Sequence, residues 1–323
     1  MERALVTGST GLVGFHVVEA LRRRGVPVRA LVRDPVRARA ILHAGVELVK
    51  GDVTAKETLA PAIGGCDVVF HAAGLPEQWL PDVGTFERVN VGGTSNLIDA
   101  ALAAGVERFV YTSTIDVFRA DEGESYDESS LDPEPKGTAY ERSKQEADRR
   151  VVRAMEERGL PAVFVHPAAV YGPGPAGSPG LGHFVADLRD GKVPMLPPGG
   201  VPVVFAPDVG EGHVLAAEKG GIGERFILAE GFYPTRVLAE AASRALGLGK
   251  LPRAMPAWLA KVVSPVSEGV SRLFGGPPLL PKGQLHFMLW GARPDARRAR
   301  ERLGWKPTPL DEGMRALVRS LDG

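Results

Sequence analysis

A tyrosine and a lysine four residues apart, Tyr140 and Lys144 in Thr138-Ala-Tyr-Glu-Arg-Ser-Lys144, are the residue types of a proton-transfer pair. On a helix that spacing puts both on one face. An ammonium beside a phenol favours the phenolate, so the hydroxyl can give and take a proton near neutrality. Many helices carry Tyr-x-x-x-Lys without using it, and the pair gains meaning from a second pattern. Thr7-Gly-Ser-Thr-Gly-Leu-Val-Gly14 follows a strand candidate, Ala4 to Val6, and opens a helix candidate that reaches Arg24. In that context Gly8 permits a tight turn, Gly11 lets a pyrophosphate approach the backbone, and Gly14 lets helix and sheet pack closely. The helix N-terminus then faces negative charge. A dinucleotide bound there carries hydride, the other half of the chemistry.

The elements that must position these residues follow from hydrophobic patterning. Val28 to Val32, Val46 to Lys50, Val68 to His71, Arg108 to Thr112 and Ala162 to His166 read as further strands. Helices are expected at Val89 to Ala104 and from Tyr140 to about Glu157. Continuous Val/Leu/Ala runs without strict alternation mean strands buried on both faces, hence a parallel sheet. Strand–helix alternation then predicts an α/β fold with a Rossmann-type doubly wound parallel sheet and ligands at the carboxyl ends of its strands. After Tyr171 the texture changes. Gly172-Pro-Gly-Pro-Ala-Gly-Ser-Pro-Gly180 is a loop by composition, and short helices (His183 to Asp190, Val209 to Glu218, Arg236 to Leu246) are separated by proline-rich stretches. The expectation is a dinucleotide-binding domain over 1–172, with a late return strand at Phe226 to Leu228. A smaller C-terminal substrate-binding lobe over 173–323 completes the chain.

The spacing Gly-x-x-Gly-x-x-Gly after Thr7 resembles that of the extended short-chain dehydrogenase/reductase superfamily, the NAD-dependent epimerase/dehydratase enzymes. Gly51-Asp52-Val53 is similar to that family's adenine contact, and His71-Ala72-Ala73-Gly74 to the segment beneath its cofactor. Asn90 matches the asparagine of its fourth helix, and Tyr111-Thr-Ser-Thr114 the strand end that bears the active-site hydroxyl. His166-Pro-Ala-Ala-Val-Tyr-Gly-Pro173 matches the loop after the sixth strand. The resemblance implies that Thr114, Tyr140 and Lys144 form the catalytic set, with Thr112 and Ser113 the neighbours open to confusion with Thr114. It implies cofactor contacts from Gly8, Thr10, Gly11, Leu12, Val13, Gly14, Arg33, Asp52, Val53, Ala72, Ala73, Asn90, Thr112, Tyr140, Lys144, Pro167 and Val170. It also implies a homodimer paired through Gly92–Ala104 and Tyr140–Glu157.

Cofactor choice rests on Leu31-Val-Arg-Asp-Pro35. An acid there binds a ribose 2′-hydroxyl and selects NAD, whereas an arginine accommodates the 2′-phosphate of NADP. Val32 stands where many NAD-using relatives carry aspartate; Arg33 follows, with Arg37 and Arg39 within reach. NADP is favoured, and Asp34 turned inward would restore NAD.

Composition narrows the partners. Lys plus Arg and Asp plus Glu both number 39, so no global field attracts nucleic acid or an anionic membrane. Arg22-Arg23-Arg24 and Arg297-Arg298 read as solvated helix faces. Cys66 is the only cysteine, which excludes an intrachain disulfide and suits a reducing cytoplasm. No signal-peptide pattern precedes Ala4, and no run approaches the roughly 18 apolar residues of a spanning helix. The nearest, Trp258 to Phe274, is interrupted by Lys261, Pro265, Glu268 and Arg272. Packing within the lobe or on a partner subunit explains its valines most simply; contact with a lipophilic substrate or a bilayer surface is the alternative. His183 and His213 read as packing or surface residues, and no cluster has metal-ligand spacing.

Two departures separate subfamilies. Sugar-nucleotide dehydratases carry Thr-Asp-Glu at the active-site strand; here Thr114-Ile115-Asp116 lacks the first acid. Nucleotide-sugar epimerases bring an arginine to the substrate pyrophosphate just before an Asp-Val pair; here Val201-Pro-Val-Val-Phe-Ala-Pro-Asp-Val209 is apolar. Burying a diphosphate without a cation is costly, so an uncharged substrate fits better. The runs Tyr111–Val117 and Leu31–Pro35 are similar to those of 3β-hydroxysteroid dehydrogenases and dihydroflavonol-4-reductase-like enzymes. The expectation is an NADP- or NAD-dependent oxidoreductase that interconverts a secondary alcohol and a ketone on a hydrophobic ring substrate. A nucleotide-sugar epimerase with tightly held NAD and a non-catalytic NADP sensor are the alternatives.

Overall fold

The computed structural model of the chain describes residues 1–76, 80, 82–175, 180–274 and 278–321. Within the expected glycine–proline loop, residues 176–179 lie outside the described residues.

The first half is built from β1 (Ala4–Thr7), α1 (Leu12–Arg23), β2 (Val28–Val32), α2 (Pro35–Ile41), β3 (Glu47–Lys50), α3 (Leu59–Ile63) and β4 (Val68–His71). Then α4 (Gly84–Phe86) passes through a π turn at Glu87–Gly92 into α5 (Gly93–Ala104). Next come β5 (Arg108–Thr112), the short β6 (Ser125–Tyr126), α6 (Ala139–Arg158) and β7 (Ala162–Pro167). Beyond them lie β8 (Ala169–Tyr171), α7 (Leu181–Arg189), β9 (Met195–Leu196), β10 (Gly200–Phe205), α8 (Ala206–Lys219), β11 (Arg225–Leu228), β12 (Gly231–Pro234) and α9 (Thr235–Leu246). The chain finishes with β13 (Arg253–Ala254), α10 (Ala257–Phe274), α11 (Lys282–Trp290), β14 (Arg293–Pro294) and α12 (Leu310–Leu321).

Seven strands form the central sheet in the order β11-β7-β5-β4-β1-β2-β3, and each pair is parallel. The order reverses between β1 and β4, which opens the crevice where a doubly wound sheet binds its ligand. This is the Rossmann-type architecture expected from the alternation. Both faces are buried because successive side chains point to opposite sides. Val6, Phe70, Val110 and Val165 pack with Val17 of α1 and Val209 of α8. Leu5, Val69, Phe109 and Phe164 pack with α3, α5 and α6 through Leu59, Leu97 and Val151. Fully burying each such side chain stabilises by about 1.5–3 kcal/mol.

The second half returns to the sheet more than the 226–228 strand alone suggests. Besides β11, helix α8 lies against α1 so closely that a Cβ on Gly210 would meet the His16 carbonyl oxygen at 2.2 Å. Arg24, expected on a solvated face, instead reaches from the end of α1 to Glu211 (3.0 Å from Nη1) and Glu218 (3.1 Å from Nε). A smaller lobe, to which β6 and β8 of the first half contribute, holds a three-stranded sheet, β12-β10-β8, and two strand pairs, β13-β9 and β14-β6. Tyr171, Val203, Leu238 and Met314 form its core. Trp305 is fully buried, and its Nε1 donates to the Asp208 carbonyl at 2.8 Å.

Candidate active site

The glycine turn is constrained at two of its three glycines. Gly8 has φ +70°, and a Cβ there would lie 2.6 Å from the Ala72 carbonyl carbon and the Ala73 nitrogen. A Cβ on Gly14 would lie 2.3 Å from the Gly8 carbonyl oxygen. Gly11, whose N–H donates to that oxygen at 2.9 Å, leaves a looser 3.3 Å. Helix α1 starts with no side-chain cap and no acid in its first turn. The amides of Leu12, Val13 and Gly14 belong to the first turn, whose N–H groups lack intrahelical acceptors, and the macrodipole adds positive potential there. A backbone cradle that excludes side chains and presents uncapped amides fits a dinucleotide pyrophosphate. Thr10 lies in this turn, half-buried.

Beneath the turn a relay of hydroxyls and imidazole ties three elements together. Thr94 Oγ1 donates to the Asn90 carbonyl at 2.6 Å, so it accepts from His71 Nε2 at 2.9 Å. That leaves His71 Nδ1 to accept from Thr7 Oγ1 at 2.9 Å, and Thr7 Oγ1 to accept from Ala73 N–H at 3.2 Å. Burial, and then the Lys144 charge, push His71 down to about 3, so it stays neutral.

At the adenosine end, Asp34 is the N-cap of α2: its Oδ1 accepts from the Val36 and Arg37 amides at 3.0 and 3.1 Å. Its carboxylate is thus engaged at the start of α2 and exposed. Arg39 Nη1 donates to the Ala44 and Val46 carbonyls. Arg33 is exposed at the end of β2 and makes no ion pair among the described residues. Asp52 Oδ1 accepts from the Thr54 amide and hydroxyl at 2.8 Å each, and Val53 is buried against Gly93.

The residues expected to form the proton-transfer set lie at the end of β5 and the start of α6. A capping box fixes the start of α6: Glu141 N–H donates to Thr138 Oγ1 at 3.1 Å, and Thr138 N–H to Glu141 Oε2 at 2.8 Å. Tyr140 therefore sits in the first turn, its ring 5.9 Å edge-on from Phe86. One turn on, Lys144 is buried; its Nζ donates to the Thr112 carbonyl at 2.8 Å and lies 5.1 Å from the Tyr111 ring centre. Burial lowers Lys144 to about 8, against the pull of Asp148 and Asp116. Thr114 Oγ1 donates to Asp116 Oδ2 at 2.8 Å. Burial, and then nearby Glu141, raise Asp116 to about 6. Lys144, with its depressed pKa, thus reaches the carboxyl end of β5, two residues before Thr114, and Tyr140 lies one helical turn before Lys144.

A sequence profile of the NAD dependent epimerase/dehydratase family matches residues 4–229. The chain belongs to that family. A Synechocystis protein provisionally named a dihydroflavonol 4-reductase is 29% identical, over 97% of this chain and 92% of its own length. Sterol demethylase protein B of Methylococcus capsulatus is 30% identical over 94% of this chain and 93% of its own. Among solved structures, gox2253 superposes with a TM-score of 0.84 at 32% identity, covering 100% of this chain and 98% of that one. The NAD complex of UDP-glucose 4-epimerase from Thermus thermophilus gives 0.80 at 25% identity, covering 99% of both chains. Family membership and relatives together make the protein an NAD(P)-dependent oxidoreductase of the extended short-chain type.

Within this epimerase/dehydratase fold, two expected cofactor contacts have their side chains turned into the protein. Asn90 is in the π turn. Its Oδ1 accepts from Leu75 N–H at 2.7 Å, and its Nδ2 donates to the Leu75 carbonyl and to Ser143 Oγ at 3.2 and 2.9 Å. It joins the loop after β4 to α6 one residue from Lys144. Thr112 Oγ1 lies 2.8 Å from His213 Nε2, and His213 Nδ1 donates to the Val209 carbonyl at 2.8 Å, so Thr112 is the donor. His213 is fully buried, as a packing histidine should be. Pro167 ends β7, and Val170 lies half-buried in β8.

Arg225 and Asp148, behind the site, escaped the sequence reading. Arg225 of β11 pairs with Asp148 of α6, Nη2 to Oδ1 at 2.7 Å and Nη1 to Oδ2 at 3.0 Å, and lies over the Phe164 ring. Ser113 Oγ donates to Asp148 Oδ2 at 2.7 Å. Arg225 Nη1 also donates to His166 Nε2 at 3.1 Å, which leaves His166 Nδ1–H for the Thr114 carbonyl at 3.1 Å. The strand end that carries Thr114 is thus pinned from behind. Asp148 lies four residues after Lys144 on the same helical face, a signal that was available. No cluster of metal-ligand type occurs among the described residues.

Proposed function

We propose that the protein reduces a ketone, or oxidises the corresponding secondary alcohol, on a hydrophobic ring substrate of steroid, flavonoid or isoprenoid type, with NADP as the preferred cofactor. The observation that carries this reading is the conjunction of Thr114, Tyr140 and Lys144 with a β10 strand whose side chains, Val201 to Phe205, include no cation for a substrate pyrophosphate. The names of relatives support it. They include a ketoreductase from Stigmatella aurantiaca named for a farnesyl-bearing quinoline oxide (33% identical over 71% of this chain) and a 3 beta-hydroxysteroid dehydrogenase/isomerase of Mycobacterium tuberculosis (34% over 53%).

A bound nicotinamide dinucleotide supplies or accepts the hydride. In the reduction, Tyr140 gives the proton to the substrate oxygen, and in the oxidation it takes it. Lys144, anchored on the Thr112 carbonyl, would keep a positive charge beside that phenol and hold the ribose. Thr114, once its hydroxyl turns from Asp116 to the substrate oxygen, sets the distance of that oxygen from Tyr140. The Gly11–Gly14 backbone would hold the pyrophosphate, and exposed Arg33 at the end of β2 would meet a 2′-phosphate. A homodimer in the cytoplasm completes the reading, on the family resemblance and the reduced single cysteine.

The test is turnover of a lipophilic ketone panel with NADPH and NADH. Tyr140→Phe should lose roughly 10²–10⁴-fold in rate with nucleotide affinity nearly unchanged; full activity in that variant overturns the mechanism. Copurified NAD together with binding of a UDP-sugar would instead favour the nucleotide-sugar epimerase reading.

A further inference from the structure

Helix α10 turns an apolar face outward. Trp258, Val262, Val266, Val270 and Leu273 follow one another at spacings of four, four, four and three residues, which places them within one stripe along a helix. All five are between 51% and 80% exposed, and Leu279 beyond the helix end is 69% exposed. The opposite face is engaged: Ala260 packs with Leu280 and Leu285 at α11, and Glu268 Oε1 accepts from Lys282 N–H at 2.7 Å. The stripe is therefore left over after the helix has made its intramolecular contacts. A monomeric surface rarely leaves so long a run of apolar side chains in water.

Charge decides what covers it. The segment 250–286 carries Lys250, Arg253, Lys261, Arg272 and Lys282 against Glu268 alone, in a chain whose formal charge is zero. A twofold contact with a second copy would set this cationic segment against itself, which costs energy. An anionic lipid surface offers hydrocarbon for the stripe and phosphates for the cations. No helix among the described residues is long and apolar enough to cross a membrane, so α10 lies along such a surface.

We infer that α10 is a docking helix that rests in the plane of an anionic lipid surface, with its Trp258-to-Leu273 stripe at the headgroup boundary and Lys250, Arg253 and Lys261 among the phosphates. The lobe that docks is tied to the reaction centre. Trp290 at the end of α11 stacks on Tyr126 at 5.4 Å, Tyr126 packs on Phe118 at 5.9 Å, and Phe118 packs on His166, the residue that holds the Thr114 carbonyl, at 4.8 Å.

Co-sedimentation of the full chain with vesicles tests this without reference to turnover, so its failure and the failure of the proposed reaction are separate results. Binding is expected to vesicles of phosphatidylcholine with phosphatidylglycerol, and to be weaker by tenfold or more on phosphatidylcholine alone, with roughly fivefold lost on Lys261→Glu. The double variant Val262→Glu, Val266→Glu should lose roughly tenfold or more while keeping its nucleotide affinity. Brominated lipid should quench wild-type tryptophan fluorescence, and Trp258→Phe should remove most of that quenching, which covers the case of a double variant that does not fold. Absence of binding, or equal binding to both vesicle types, overturns the proposal. So does a wild-type dimer in analytical ultracentrifugation that the double variant converts to monomer, because the stripe is then a protein interface.

Discussion

Arg225 and Asp148 meet in a two-point ion pair, 2.7 and 3.0 Å, although 77 residues separate them. Both are buried, and the pair holds Ser113 through Asp148 and His166 through Arg225. Removing one partner leaves an uncompensated buried charge, worth about 3–5 kcal/mol. Asp148→Ala should therefore destabilise the fold by that order in urea denaturation. An Asp148→Leu, Arg225→Met pair should recover most of it. A loss well below 1 kcal/mol in the single variant would show that the pair carries no such role.

The glycine turn predicts a graded series. Gly8→Ala demands a left-handed residue at φ +70° and places a methyl 2.6 Å from the Ala72 carbonyl carbon. Gly14→Ala drives one to 2.3 Å from the Gly8 carbonyl oxygen. Each should cost about 1–3 kcal/mol of strain and abolish nucleotide binding. Gly11→Ala meets only a 3.3 Å contact, so its fold should survive while pyrophosphate approach suffers. Calorimetric titration beside thermal melts separates the two losses, and equal effects at all three positions would contradict the geometry.

In the proposed reading Arg33 sets the cofactor preference. With Asp34 committed to capping α2, Arg33→Glu should weaken NADPH binding roughly tenfold, about 1.4 kcal/mol, and leave NADH nearly unaffected. Unchanged affinity for both nucleotides would remove Arg33 from the site.

Lys144 makes activity and stability move in opposite directions with pH. Burial brings it down to about 8, so its charge, and with it the reduction rate, should fall as pH rises through that value. The folded pKa is below the unfolded one, so the folded state disfavours the charged form. Its contribution to stability is fully present above the unfolded value near 10.4 and is lost as pH falls through about 8. The difference in unfolding free energy between wild type and Lys144→Met should shift by about 3 kcal/mol across that window. A rate profile flat to pH 10 would count against the charged role.

The elements that bear the chemistry were legible because their signals are local. A strand, a glycine turn and a helix occur within Ala4–Arg23, and the four-residue step from Tyr140 to Lys144 depends only on helical geometry. The small strands β8, β10 and β12 gave no such signal. They are three to six residues long, and their pairing joins segments about 30 residues apart, which no local periodicity records. The Asn90 and Thr112 side chains were legible as polar residues in family motifs, yet their direction depends on Leu75, Ser143 and His213, which the fold brings from elsewhere.

The sequence by itself therefore determined the family and the class of reaction: residue types at helical and turn spacings, which act within a single element, mark the expected dinucleotide turn and proton-transfer set. Only the tertiary structure decided how the set is held. His166, Arg225 and Asp148 come from β7, β11 and α6 to fix Thr114 and its neighbours. Burial among them, a property of the packed chain and not of any segment, lowers Lys144 and raises Asp116.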